Sequence, residues 1–537
     1  MQLSELSWVD VLMIVGYLAF LIWAGLHITK KRNATVSQTS EELFLSSRSL
    51  PWYKVGLSIF STNVSPSMLV AYFGAAYTSG MVLANFEWMA WFFLLLLSFL
   101  FIPHYLRNRI TTMPGFLLRR FGSRSHGFFT YFSMFSSLVT WASFMLCIGG
   151  LVIHQLTGIP VYLSAIVIVL IALSYSSGGG LTSIVHTGMI QSVLLLVISL
   201  SILFIGFYQI GSLDALITSV PPEYWTIFRP ANDNTYPWHA ILLGYPVIGI
   251  WFWCTEQSIV QRTLAARSIR DGQLGAWLVA LLKVIMPFIF ILPGIMCLVL
   301  VKQGYMQPLT NPDHAYISMV GLLPKGMIGL ALATLIVSVV NDVATGIGAF
   351  STVFAIDFYG KKVDTQASPD QLAKVGKRIS WVAGAISVLI AIFFSSSDKG
   401  LFELGQSLCT YLAPPISTVF ILGLVWKRAT PLAAELTLYV GTLLCLTVGF
   451  CQLIDFPSKE TWPHFMLLCF YMMAVLVAFM VVVSLLGRPA GITVAEIRYP
   501  EDDKLNGVAV QDAYARPVIA LWGIIAFVMF IIYYIFR

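Results

Sequence analysis

Long apolar stretches dominate the chain, broken at intervals by short charged or Pro/Gly-rich segments. At roughly 20 residues per membrane-spanning helix, these stretches read as about fourteen spans. They lie at 8–28, 53–79, 81–105, 128–156, 159–176, 181–208, 239–259, 273–302, 326–357, 379–396, 401–425, 430–453, 463–486 and 518–536. The runs are apolar on every side, as in Phe92-Phe93-Leu94-Leu95-Leu96-Leu97. Strands of a transmembrane barrel would instead alternate apolar and polar residues over about 10 positions. The pattern predicts an all-α, polytopic membrane protein.

Composition closes off the soluble alternatives. Of 537 residues, 58% are hydrophobic and 10% charged, and mean hydropathy is +0.83. Soluble domains average about 25% charged residues, so this chain has too few charges to cover a water-facing surface. The net charge of +6 does not point to nucleic acid, because the basic residues sit in short loops between spans. With the N-terminus outside, the inner loops gather 24 of the 31 Lys and Arg residues. Arg229, Lys302, Lys325, Lys399, Lys459 and Arg537 fall outside and Lys283 lies within a span. That asymmetry follows the positive-inside rule and predicts a multi-pass protein of the plasma (inner) membrane with both termini outside. Residues 1–10 carry Glu5 and Asp10 in place of a basic leader, so the first apolar segment is expected to remain as a span.

Several chemistries lack their residues. The seven cysteines form no CxxC pair and the histidines no HExxH, which leaves no zinc or disulfide framework. No phosphate-binding loop of the GxxxxGK type occurs, which argues against an ATP-driven pump. No nucleophile–base pair suggests an intramembrane enzyme, and no appended output domain suggests a sensor. No enzymatic cofactor is expected.

Polar groups at bilayer depth are costly and mark function. The second span is interrupted by Ser61-Thr62-Asn63-Val64-Ser65-Pro66-Ser67, and the seventh by Trp253-Cys254-Thr255-Glu256-Gln257-Ser258 after Pro246 and Gly249. Interrupted helices at matching positions of two halves point to an inverted-repeat secondary transporter, with solute and ion bound near the midplane. Glu87 and Lys283 are ionisable groups within the third and eighth spans, and Gln406 is an amide within the eleventh. In the ninth span Ser338, Asn341, Asp342 and Thr345 recur at i, i+3, i+4 and i+7, which puts all four on one helical face. An Asp on that stripe is expected to face an ion or water pathway.

The chain resembles the sodium/solute symporter family, and within it the sodium/glucose cotransporter branch. The resemblance rests on Tyr175-Ser176-Ser177-Gly178-Gly179-Gly180-Leu181-Thr182-Ser183, Gln261-Arg262-Thr263-Leu264-Ala265-Ala266, Phe86-Glu87-Trp88, Ile356-Asp357-Phe358-Tyr359 and Trp251-Phe252-Trp253-Cys254-Thr255-Glu256-Gln257. It implies a leucine-transporter-type five-plus-five inverted repeat over 53–425, with a leading helix at 8–28 and three trailing helices over 430–536. Carried over residue by residue, it implies sugar contacts at Asn63, Glu87, Lys283 and Gln406 and an outer aromatic gate at Phe252 and Trp253. The shared sodium site falls on the backbone carbonyls of Ser61 and Val64 with Ser338, Asn341 and Asp342, where a Ser/Thr pair is usual at the last two. Met68, Ala90, Gly249 and Phe252 depart from the residues that sugar-transporting relatives often carry (Gln, Ser, Asn and Tyr). Gly188 stands where some relatives hold a second sodium with a carboxylate.

These readings predict a symporter that couples inward sodium flow to uptake of a hexose or similar solute, working as a monomer in the bilayer. Coupling to protons, a non-sugar solute (an inositol, carboxylate or amine) and a membrane sugar sensor remain the alternatives.

Overall fold

The computed structural model describes residues 7–33, 45–64, 66–233, 235–396, 401–454, 456–458, 462–487 and 515–537. Side chains of 21–22, 24–33, 66–68, 155–156, 175–187, 189, 192, 401–404, 408 and 453 lie outside the description. Met68 therefore contributes no side-chain geometry, and neither does the triple-glycine motif of residues 175–183.

The regular elements of the described residues are all helical, apart from two isolated β-bridges. Eleven helices among the described residues are long and apolar enough to cross a membrane, and two shorter apolar helices accompany them at Trp8–Phe20 and Val161–Ser174. The principal helices are α1 (Trp8–Asn33), α2 (Trp52–Asn63), α3 (Pro66–Ser79), α4 (Ala84–Trp88), α5 (Ala90–Leu96), α6 (Ile102–Arg107), α7 (Met113–Phe121), α8 (Ser123–Ser136) and α9 (Phe144–Thr157). They continue with α10 (Val161–Ile210), α11 (Trp238–Ile250), α12 (Gln257–Leu264), α13 (Ile269–Phe290), α14 (Leu292–Lys302), α15 (Met327–Val353) and α16 (Pro369–Phe394). The last are α17 (Leu401–Val425), α18 (Pro431–Leu453), α19 (Phe465–Leu486) and α20 (Arg516–Ile535).

Local chemistry sets many of the ends. Side chains of Thr112, Ser268 and Thr430 accept backbone N–H bonds at the starts of α7, α13 and α18. Ser368 and Gln371 form a reciprocal capping box at the start of α16, satisfying two donors that a helix start leaves open.

Both interruptions expected in the sequence are present. At the first, Val64 leaves the helical region (φ −78°, ψ 83°) between α2 and α3. At the second, a π-helical turn over Trp251–Thr255 ends α11, and Glu256 is extended (φ −70°, ψ 127°) before α12 begins. One expectation differs. The backbone of α10 stays helical over Val161–Ile210, where two spans separated by the glycine run were expected. Glycine costs a helix only about 1 kcal/mol relative to alanine, so the run weakens the helix without ending it.

Close helix crossings use missing side chains, as membrane helices commonly do. A Cβ on Gly56 would lie 2.9 Å from the Gly275 carbonyl oxygen, which brings α2 hard against α13. The N-terminal turn of α1 is tied to that of α15, where Asp10 accepts the backbone N–H groups of Gly326 (2.7 Å) and Gly329 (2.8 Å). At another helix end, Asp357 accepts from Thr112, from His126 at 2.8 Å and from Lys361 at 2.5 Å, binding the α7–α8 segment to the end of α15.

Candidate functional site

A cavity of about 140 Å³ lies between the two broken helices. Asn63 from the end of α2, Glu87 from α4 and Gln406 from α17 line it, as do Phe252 and Trp253 from the second break. Sequence reasoning had singled out all five. Lys283 does not line the cavity. Its ammonium donates to Glu87 from behind and stands 5.3 Å from the centre of the Trp253 ring. Both members of the pair are almost fully buried, Glu87 at 3% and Lys283 at 1% exposure. A buried charge is retained only with a close partner; here each charge is the other's partner.

Most of the remaining wall is aromatic (Tyr72, Phe86, Trp141, Phe144, Tyr245 and Trp251), with Thr140, Met145, Ile248, Gly405 and Cys409 completing it. Sequence reasoning missed these rings, because an aromatic residue in an apolar span reads the same whether it faces lipid or a cavity. Phe252 stacks on Trp141 at 5.5 Å and meets Trp253 edge-on at 5.0 Å. Tyr245 donates its hydroxyl to the Phe86 carbonyl at 2.6 Å, which fixes the backbone next to Glu87. Around this wall Asn63 Oδ1, Gln406 Oε1 and Trp251 Nε1 have no hydrogen-bond partner within the protein. The set holds two acceptors and one donor, and a solute hydroxyl can serve both kinds.

Ser61, at the first break, and the polar stripe of α15 come together at Gly188. Ser338, Asn341, Asp342 and Thr345 are all buried on α15. Ser338 accepts a 2.6 Å bond from Gln191. Both amide atoms of Asn341 and both carboxylate oxygens of Asp342 are buried without a hydrogen-bond partner. Gly188 on α10 locates Ser61 beside them. A Cβ at Gly188 would lie 2.7 Å from Ser61 Oγ and 3.5 Å from Asn341 Nδ2. Helices α2, α10 and α15 therefore meet at this point, and no side chain fits at 188 without displacing Ser61. Buried polar atoms are rarely left unpaired in proteins. A carboxylate, an amide oxygen and nearby backbone carbonyls supply the hard oxygen donors that an alkali cation takes, so the residues present fit sodium.

Gly249 explains one departure from the relatives' pattern. A Cβ there would come within 2.3 Å of the Phe93 ring, so an amide side chain has no room.

Two broken helices flanking a polar-and-aromatic cavity, with an oxygen-rich cluster beside one break, define a secondary transporter of the inverted-repeat kind. The family model "Sodium:solute symporter family" matches residues 43–441, and the chain belongs to that family. The chain is 30% identical over 526 residues to "Sodium/myo-inositol cotransporter 2" of Oryctolagus cuniculus, covering 89% of this chain and 77% of that protein. It is 29% identical over 470 residues to "Sodium/glucose cotransporter" of Vibrio parahaemolyticus, covering 83% and 86%. Among solved structures, a Na+-coupled sialic acid symporter in a substrate-bound outward-open state superposes with a TM-score of 0.78 at 22% identity, covering 90% of this chain and 99% of that one. That likeness shows the shared fold. The protein is a transporter and not an enzyme.

Proposed function

We propose that this protein couples the inward flow of sodium to uptake of a sugar or sugar-like polyol of monosaccharide size. The observation that carries the reading is the pairing of two neighbouring arrangements: a hydroxyl-complementary aromatic cavity and an oxygen cluster at the adjoining helix break. Glu87, Asn63 and Gln406 contact solute hydroxyls, and Lys283 holds the Glu87 carboxylate in place. An aromatic ring accepts the apolar face of a pyranose or cyclitol, with Phe252 and Trp253 closing the outer side. A volume of about 140 Å³ is below the roughly 300–1,000 Å³ of drug-sized ligand sites, which favours one small ring over a disaccharide. Relatives named for glucose and for myo-inositol support either ring type.

Sodium binds Asp342, the Asn341 amide oxygen, Ser338 and the carbonyls of Ser61 and Val64. Carbonyls at a helix break coordinate a metal ion and do nothing for a proton, which favours sodium as the coupling ion. At about 100 mV one entering charge contributes roughly 2.3 kcal/mol, sufficient for about fifty-fold accumulation. The same reading assigns 53–425 to the inverted-repeat core, places both termini outside the plasma membrane, and takes the monomer as the working unit.

Three indoles, of Trp141, Trp251 and Trp253, line the cavity, so solute binding is read by tryptophan fluorescence of the purified protein. Titration with glucose, galactose and myo-inositol, in sodium and in choline, should give a saturable change with at least one of them that tightens in sodium. No response to any polyol, with a response to a carboxylate or an amine, would remove the sugar assignment.

A further inference from the structure

Arg262 is an arginine inside the protein, 2% exposed, on α12 just past the second helix break. Its Nη1 donates to the Ser258 carbonyl one turn earlier. Its Nη2 reaches across to α15 and donates to Thr345 Oγ1 at 3.1 Å. Its Nε is buried without a hydrogen-bond partner. Thr345 follows Asp342 by three residues, one place along the same helical face and about 4.5 Å along the axis. Asp342 is fully buried and both of its oxygens are unpartnered. Anchored on Thr345, the guanidinium sits about one helical turn from the Asp342 carboxylate. Yet they make no ion-pair contact, because the guanidinium is held away by Ser258 and Thr345.

We propose that Arg262 is a tethered counter-cation for Asp342, and that the Arg262 guanidinium and the coupling sodium ion are alternative neutralisers of that one carboxylate. This rests on the sodium site proposed above. A buried carboxylate stays ionised only with a compensating positive charge, and Arg262 supplies one from within the protein. Its placement leaves both Asp342 oxygens without a partner in the protein, next in sequence to Asn341, which meets Ser61 and Gly188. A direct salt bridge would have filled those positions. Arginine suits the task because it keeps its charge when buried.

Two consequences follow. An arriving sodium ion meets the repulsion of Arg262, so the protein holds sodium less tightly than the bare carboxylate would. The tether also joins α12, beyond the second break, to α15, beside the first. When sodium neutralises Asp342, the electrostatic part of that link is released, and the helix following the second break is freer to move against α15.

The test uses the full-length protein purified in detergent, with radioactive sodium binding and thermal denaturation as readouts, so that neither depends on transport. Arg262→Gln should lower the sodium concentration for half-saturation by about ten-fold or more, since the repelling charge is gone. Arg262→Lys should stay within about three-fold of the wild type. Unchanged or weaker sodium binding by a folded Arg262→Gln protein overturns the proposal. A separate arm omits sodium and reads the pair alone. Asp342→Asn should lower the denaturation midpoint by leaving Arg262 uncompensated, and Arg262→Gln in the same chain should restore most of that loss. Strictly additive losses overturn the pairing, and this arm serves even where Arg262→Gln alone fails to fold. Absence of sodium binding by the wild type would instead remove the sodium site, leaving the stability cycle to stand or fall by itself.

Discussion

Removing the ammonium of Lys283 while keeping the Glu87 carboxylate is the sharpest perturbation of the cavity floor. Lys283 is 1% exposed and Glu87 3%, and the hydrogen bond between them joins two helices far apart in sequence. In Lys283→Ala the Glu87 carboxylate keeps its burial and loses its cation. Breaking a buried pair in this way costs about 3–5 kcal/mol, a large share of the roughly 5–15 kcal/mol that holds a folded domain. Replacing both members by neutral groups of similar volume is far cheaper and can be neutral. The expected order of stability is therefore wild type and Glu87→Gln/Lys283→Met close together, with Lys283→Ala well below both. Thermal denaturation in detergent, followed by size-exclusion of the surviving fraction, reads this order directly. A Lys283→Ala protein as stable as wild type would refute the reasoning, because the carboxylate would then have found compensation that the geometry does not provide.

Gln406→Ala is the cleaner binding probe: the residue lines the cavity and its amide oxygen has no partner in the protein, so solute affinity should fall by roughly two- to thirteen-fold, as the loss of about 0.5–1.5 kcal/mol implies, with stability unchanged in thermal denaturation. Gly249→Asn drives a side chain into Phe93, where even a Cβ would stand at 2.3 Å; lowered expression and a lower denaturation midpoint are expected, and an unperturbed protein would contradict the packing. Gly188 carries no carboxylate and packs on Ser61, so reversal potentials should give one charge per solute; two charges would require a second ion site elsewhere.

How much of this was legible in the chain depended on the kind of signal. The breaks could be read because Pro66 and five hydroxyl or amide side chains stand where lipid-facing residues would be apolar, and because the second break repeats the first. The stripe from Ser338 to Thr345 could be read because helical periodicity places it on one face. Glu87 and Lys283 were each visible as isolated charges, but only the tertiary fold makes Lys283 a support for Glu87 and not a second wall of the cavity. Arg262 was hidden differently: it belongs to a basic loop-like motif, and its burial against Thr345 is set by how α12 meets α15. Beyond Phe252 and Trp253 the aromatic wall left no trace, since Trp141 or Tyr245 satisfies the same apolar pattern facing lipid or facing solute. The glycine run between Tyr175 and Leu181 looked like a span boundary, yet the small helical penalty of glycine lets α10 continue through it.

The central claim is that solute uptake draws on a sodium gradient through Asp342. Proteoliposomes loaded without sodium and placed in a sodium-containing buffer, at equal pH on both sides, should concentrate labelled solute above the outside level. The same vesicles given a pH gradient in choline should only equilibrate, and Asp342→Asn vesicles should exchange solute without concentrating it. Accumulation that ignores sodium and follows the pH gradient would contradict the account and make Asp342 a proton carrier.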